Sequence, residues 1–316
     1  MAADVMADMA ADARVAVGVI GVGRIGAPLV ARLVAAGHKV VATDLRPDRR
    51  EFVEQSGARW AADAASVADV CGVVFTVLPG GPELSELVLG PGRLLAHLRA
   101  GAIWIDLTSA SVEVGRQCAD AARAHGVAYL DAPIGGGVPG MRDGAVTLYV
   151  GGENHVLEAV EELLSSFASS VHHVGDNGTG YLTKLLINLL WFGQATLTTE
   201  ALLLAQRHGV SPDRMSTVLR DSAGDSAFAT RHLPALLAGD YLRDFGLDRC
   251  VEELDSIEHT AESAGLPHPL TAAVAELHRA ALHRYGPVDG ELMGPAWLEE
   301  QAGSQLRSEP EPPAEP

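Results

Sequence analysis

The chain has 316 residues, enough for about two domains, and at 47% hydrophobic residues it can bury a full core. Lys+Arg number 23 against 41 Asp+Glu, a net charge of −18, which argues against nucleic acid or an anionic membrane as the main partner and leaves room for a small-molecule substrate. The three cysteines, Cys71, Cys118 and Cys250, are too scattered for a disulfide framework or a metal site; read as small buried hydrophobes, they suit a reducing compartment, and the cytoplasm is expected.

Residues 1–13, MAADVMADMAADA, lack the basic and apolar regions of a secretory signal and are expected to form a flexible leader. From 14 to 177, short β-branched runs alternate with helical patterns: VAVGVIG (15–21), KVVATD (39–44), VCGVVFTVL (70–78), AIWIDL (102–107) and VAYLDAP (127–133). That alternation predicts βαβ units, a parallel sheet and a Rossmann domain, with AVTLYVGG (145–152) and VHHVG (171–175) as further strands. His172 and His173 are neighbours on such a strand and point to opposite faces, so they are read as structural, and no metal is expected. Strand signals stop at Gly178, and 178–302 reads as an all-α domain joined on by a long helix of about 178–208. Gly209 closes that helix, and Ser211-Pro212 form the next N-cap and N1. The apolar stretch 185–204 carries Asn188, Gln194, threonines and Glu200, so a buried helix of a soluble protein is expected rather than a membrane span. The Pro/Glu-rich end, 303–316, is expected to be a disordered tail.

The first βα turn holds Gly21, Gly23 and Gly26 in G-x-G-x-x-G spacing. Gly21 permits the tight turn, Gly23 lets backbone N–H groups approach a pyrophosphate, and Gly26 lets the helix pack on the strand. The second strand ends in Asp44, 18 residues after Gly26, where an acid can bind a ribose 2′-hydroxyl and repel a 2′-phosphate. Cofactor contacts are expected from Gly21, Gly23, Arg24, Ile25, Gly26, Asp44 and Leu45. Asp44 favours NAD; Arg46, Arg49 and Arg50 leave NADP open. In DAPIGGGVPGMRDG (131–144), Gly135, Gly136 and Gly137 offer bare N–H groups as a substrate cradle, against the alternative of a tight loop without a ligand. In GTGYLTKLLINLLW (178–191), Lys184 lies among leucines. Lys184 and Asn188 are i and i+4 on one helix face, with Trp191 three further on. A lysine in a partly apolar site can exchange a proton near neutral pH, and an asparagine can orient a hydroxyl or carbonyl. An exposed Lys184 and a Trp191 that only packs the core are the plainer alternatives.

In order, GVIGVGRIG, DAPIGGGVPGMRDG, GDNGTGYLTKLLIN and DYLRDFGLDRCVEELD resemble the β-hydroxyacid dehydrogenase family, which includes 3-hydroxyisobutyrate dehydrogenase and tartronate semialdehyde reductase. The resemblance runs from about Val15 to about Ala302. It implies a Rossmann domain plus a C-terminal domain like that of 6-phosphogluconate dehydrogenase, an NAD(P)-dependent reaction at a CH–OH group, and a homodimer or homotetramer formed through the helical domain. By resemblance Lys184 is the catalytic lysine and Asn188 the substrate-orienting asparagine. Gly136 and Gly137 hold a substrate carboxylate, Leu78 and Pro79 line the cofactor, and Thr108 and Ser109 sit near the nicotinamide. Three positions depart from the family: Gly135 replaces a usual serine, Ile187 a frequent asparagine, and Glu252-Glu253 a common Lys-Asp pair. Loss of a charged partner for a buried carboxylate costs on the order of 2–5 kcal/mol. The substrate is therefore expected to be larger, neutral or cationic rather than a simple small hydroxy acid, with Glu252 or Glu253 facing it. Imine reduction on the same scaffold is the first alternative, and a non-catalytic dinucleotide-binding module the second. The decarboxylating 6-phosphogluconate enzymes carry a histidine beside the asparagine, where this chain has Ile187.

Overall fold

Six strands run parallel in the order β3-β2-β1-β4-β5-β6: β1 (Ala16–Ile20), β2 (Val40–Thr43), β3 (Arg59–Trp60), β4 (Cys71–Thr76), β5 (Ile103–Asp106) and β6 (Ala128–Asp131). The computed structural model describes residues 16–90 and 94–308. The central strands are buried along their whole length, as expected for a sheet covered by helices on both faces. One face carries Val17, Val19, Phe75, Ile105 and Leu148 under the helices Gly26–Ala35 and Asn154–Leu164. The other carries Ile20, Val74, Trp104 and Tyr129 under Gly81–Leu89 and Val112–Ala124. The sheet order reverses at β1, so the loop after β1 lies at the switch point where open α/β sheets bind ligands.

The expected parallel sheet needs one correction. β8 (Val146–Gly151) runs antiparallel to β6 and to β7 (Ile134–Gly135), and β9 (Ala168–Gly175) then runs parallel to β8. Strand direction leaves no trace in a period-2 pattern, and β7 is a two-residue strand inside what reads as a glycine loop. β3 was also absent from the expectation, since it is two residues long and not buried.

The helix expected at 178–208 spans Thr179–Arg207. Ser211 caps the helix Pro212–Arg220 by accepting from Arg214 N, with Pro212 in its first turn. The chain divides into two compact units inside the long helix, between Lys184 and Leu185. Within the second unit, Leu247–Ser263 packs on Pro269–Tyr285, with Phe192, Cys250, Leu254 and Ala275 as one core. Leu202, Phe228, Leu236, Leu292 and Leu306 form another. Leu306 belongs to the expected tail, yet it is fully buried. Its N–H donates to Glu299 at 2.6 Å, and Arg307 reaches Glu299 and Tyr241 at 2.9 Å each. Ordered packing therefore continues past Gly303 to Ser308, because an apolar side chain interrupts the polar run. The expected leader and residues 309–316 lie outside the described residues.

The long helix is not buried all round, as 185–204 had suggested. Leu186, Ile187, Leu190, Leu197 and Leu204 are exposed. No helix among the described residues is long and apolar enough to cross a membrane.

Candidate active site

The loops that follow β1, β2, β4, β5 and β6 carry Gly21–Gly26, Asp44–Leu45, Leu78–Pro79, Thr108 and Gly135–Gly137, all on the first unit. Gly21 has φ +96°, and a Cβ there would strike the Val77 carbonyl; at Gly26 it would strike the Gly21 carbonyl. The fold itself thus demands those two glycines. Gly23 is different, since the nearest atom to a Cβ there is an Arg46 guanidinium nitrogen at 3.9 Å. The turn is left open where a pyrophosphate would come against it, so the residues present fit a dinucleotide. Ile25 packs on the core, while Arg24 and Leu45 are exposed.

Asp44 accepts from Val22 N at 2.7 Å, Arg46 N at 2.8 Å and Arg46 Nε at 3.3 Å. Burial alone would raise its carboxyl, but the backbone N–H groups of Arg46 and Val22 and the Arg46 side chain outweigh that and hold it below the ordinary carboxylate range. The acid is therefore ionised, and it ties the loop after β2 to the glycine turn.

The loops after β4 and β5 meet at a buried carboxylate. Leu78 N donates to Thr108 Oγ1 at 3.1 Å, and Thr108 Oγ1 donates to Asp106 at 2.8 Å. Asp106 also accepts from Thr108 N, the Thr76 hydroxyl and Tyr181 Oη, the last at 2.5 Å. Trp104 Nε1 donates to Thr76 Oγ1 at 2.8 Å, and the hydroxyls of Tyr129 and Tyr181 share a bond of 2.7 Å. Burial pushes the Asp106 carboxyl up to about 6 against the opposing effect of the Thr76, Tyr181 and Thr108 donors. A second buried carboxylate, Asp131, accepts from Gly178 N at 2.8 Å and Tyr181 N at 3.2 Å, the N–H groups that open the long helix. Burial raises this carboxyl too, opposed by those donors and Asn177. Two carboxylates thus hold the first turn of the helix that carries Lys184.

Lys184 is half-buried, with Leu185 inside and Leu186 and Ile187 outside. Asn188, one turn on, donates from Nδ2 to Glu253 Oε2 at 2.6 Å. Glu253 is buried, whereas Glu252 is exposed and bonded to Arg249 at 2.8 Å. The structure thus brings Glu253 to Asn188 and leaves Glu252 in solvent. Helical periodicity carried the signal: Glu253 falls at i+3 from the buried Cys250, beside Leu254 and Ile257. Trp191 packs edge-on against Phe192, Phe228 and His232 at 5.5–5.7 Å. Gly136 and Gly137 have φ +101° and +57°, a succession that turns neighbouring N–H groups the same way. Pro79 is exposed. Sequence reasoning missed Asp106, Asp131 and Tyr181, and left the choice between Glu252 and Glu253 open. Among the described residues no three His, Cys, Asp or Glu side chains are grouped to hold a metal.

A doubly wound sheet with an open glycine turn and an anchored acid at its switch point is the architecture of a dinucleotide-binding protein. Residues 16–175 match the family described as the NAD binding domain of 6-phosphogluconate dehydrogenase. Residues 178–292 match the one described as NAD-binding of NADP-dependent 3-hydroxyisobutyrate dehydrogenase. A 2-(hydroxymethyl)glutarate dehydrogenase of Eubacterium barkeri is 30% identical over 262 residues, 83% of this chain and 87% of that one. Among solved structures, the Mycobacterium tuberculosis 3-hydroxyisobutyrate dehydrogenase with L-serine has a TM-score of 0.82 at 24% identity, covering 90% of this chain and 99% of that one. A Myxococcus stipitatus imine reductase variant with NAD+ has a TM-score of 0.62 at 20% identity over the same shares of the two chains. The chain belongs to the β-hydroxyacid dehydrogenase family and is an NAD(P)-dependent oxidoreductase acting on CH–OH groups.

Proposed function

We propose that Lys184 gives or takes the hydroxyl proton while Asn188 orients the reacting oxygen and the Gly135–Gly137 loop holds the remote end of the substrate. The nicotinamide, when bound, exchanges the hydride with the carbon bearing that oxygen. The observation that carries this reading is the pair on one helix face, Lys184 and Asn188, with Asn188 fixed by the buried Glu253. A binding module has no need of an amide held in one orientation by a buried carboxylate. Gly21, Gly23, Arg24, Ile25, Gly26, Asp44, Leu45, Leu78, Pro79 and Thr108 are assigned to the cofactor. The ionised Asp44 favours NAD, and Arg46, drawn over the glycine turn by Asp44, keeps NADP within reach.

The E. barkeri relative is named for a hydroxymethyl diacid, so hydroxy acids belong in any assay. Gly135 supplies no side-chain donor of its own and Glu253 is acidic, which supports a substrate whose remote end is less anionic than that of a simple small hydroxy acid. The imine reductases share the fold and form the second chemistry to assay. The test follows reduced nicotinamide by absorbance with semialdehyde acids, glyoxylate, neutral aldehydes and cyclic imines, each with NADH and NADPH. Lys184→Ala should lower turnover of the preferred carbonyl compound by about 10²–10⁴ and leave cofactor binding intact. Undiminished turnover in that variant would remove the assignment, and turnover of cyclic imines alone would replace the reaction.

Four exposed leucines, Leu186, Leu190, Leu197 and Leu204, line one stripe of the long helix at spacings of four, seven and seven. They support self-association through the helical part. Three buried free thiols support a reducing compartment, which we take to be the cytoplasm.

A further inference from the structure

Two of the three glycines in the 135–137 loop are required by backbone conformation, and Gly135 is not. It pairs with Thr147 across the β7–β8 ladder, and its φ lies outside the left-handed region. What crowds a side chain there is Tyr149. A Cβ on Gly135 would lie 3.0 Å from Tyr149 Oη, 3.3 Å from Cε2 and 3.5 Å from Cζ. The small residue at 135 is the space that the phenol occupies.

Tyr149 alternates along β8 with the fully buried Leu148 and Val150, so its side chain lies on the opposite face, half-buried. The His172 ring lies nearly parallel to it, 13° between planes and 6.2 Å between centres. Burial is what raises the phenol above its ordinary value, so the hydroxyl remains a neutral donor at physiological pH. Among the described residues that hydroxyl takes no hydrogen-bond partner. The long helix begins over the same residue: a Cβ on Gly180 would strike the Tyr149 carbonyl. Lys184 is four residues on along that helix face, about 6 Å further by helical rise.

We propose that Tyr149 is a substrate-binding residue: its hydroxyl completes the glycine cradle and donates a hydrogen bond to an acceptor oxygen at the end of the substrate remote from the reacting carbon. The inference rests on the dehydrogenase reading above and deepens it. A phenol and peptide N–H groups recognise an oxygen without demanding a full negative charge. The acceptor chemistry is therefore shared by a carboxylate and a neutral amide or ester, and the assay separates them.

The experiment compares wild type, Tyr149→Phe, Gly135→Ser and the double variant on 3-hydroxyisobutyrate, its amide and its methyl ester, with NAD+ and NADP+. NADH affinity and thermal unfolding are measured alongside. Tyr149→Phe should raise KM about tenfold, more than it lowers kcat, with NADH affinity and thermal midpoint unchanged. Gly135→Ser, crowding the phenol, should also raise KM. Serine at 135 on the Tyr149→Phe background restores a hydroxyl in the vacated space, so the double variant should recover most of the lost affinity. An unchanged KM in Tyr149→Phe, or purely additive losses in the double variant, overturns the proposal. Wild-type rates on the acid and the amide within tenfold of each other favour neutral-oxygen recognition, and a larger preference for the acid assigns the hydroxyl to a carboxylate. Silence of the wild type on all three compounds overturns the proposal as stated. Failure of the Lys184 assignment is seen separately, as full activity in Lys184→Ala, and leaves the KM shift of Tyr149→Phe standing, whereas failure of the dehydrogenase reading itself is seen as turnover of cyclic imines alone.

Discussion

At the scale of single residues, the two adjacent glutamates show how one position decides a role. Glu253 faces inward and accepts from Asn188; Glu252 faces solvent and pairs with Arg249 on its own helix. A misplacement of about 1 Å near reacting groups can cost on the order of 10² in rate. Glu253→Ala should therefore lower kcat about 10–100-fold, Glu253→Gln, which keeps an acceptor oxygen, should lose less, and Glu252→Ala should lose under about threefold. Steady-state kinetics on the preferred substrate checks all three, and equal effects at 252 and 253 would deny Glu253 its part. The glycines of the first turn and the Lys184–Asn188 pair were legible in the sequence because each is a local pattern. Glu253 was legible only in part, since helical spacing singles it out while the Glu-Glu dipeptide hides it. Tyr149 was not legible, because its meaning comes from the register that sets β8 beside β7.

At the scale of elements, the network at Asp106 gathers β4, β5, the loop after each, and the first turn of the long helix. Thr76 and Tyr181 lie 30 and 75 residues from Asp106, so the hub required the sheet order, and the antiparallel direction of β8 was hidden for the same reason. Burial holds the carboxyl at about 6, above the ordinary aspartate value of 3.8. Between those values the folded chain holds a proton that the unfolded chain has lost. The contribution of Asp106 to stability is therefore fully present below about pH 4 and is lost as pH rises through 6. The difference is on the order of 3 kcal/mol. Urea unfolding of wild type and Asp106→Asn from pH 4 to 8 should show wild type gaining stability relative to the variant as pH falls through 6. A constant difference would mean that Asp106 does not titrate there.

At the scale of the molecule, the sequence conveyed a Rossmann unit followed by helices because the hydrophobic period changes from 2 to 3.6 at Gly178. It concealed that Leu306 packs into the helical core, since one leucine in a polar run has no period. The same limit applies to the stripe on the long helix: Leu190, Leu197 and Leu204, exposed at 63%, 68% and 63%, read like core residues until the core is seen to lie elsewhere. Burying them between two copies removes apolar surface worth roughly 25 cal/mol per Å². Sedimentation should show a dimer or tetramer for the natural chain and a lighter species for Leu190→Glu/Leu197→Glu, whereas an unchanged mass would move the interface elsewhere.

The indole of Trp104 is fully buried, lies 4.3 Å from the Tyr129 ring, and donates to the threonine that donates in turn to Asp106. The chain thus carries its own optical reporter. A proton gained or lost at Asp106 changes the field at one enclosed chromophore two hydrogen bonds away, and the ionisation of the hub becomes a matter of emission colour.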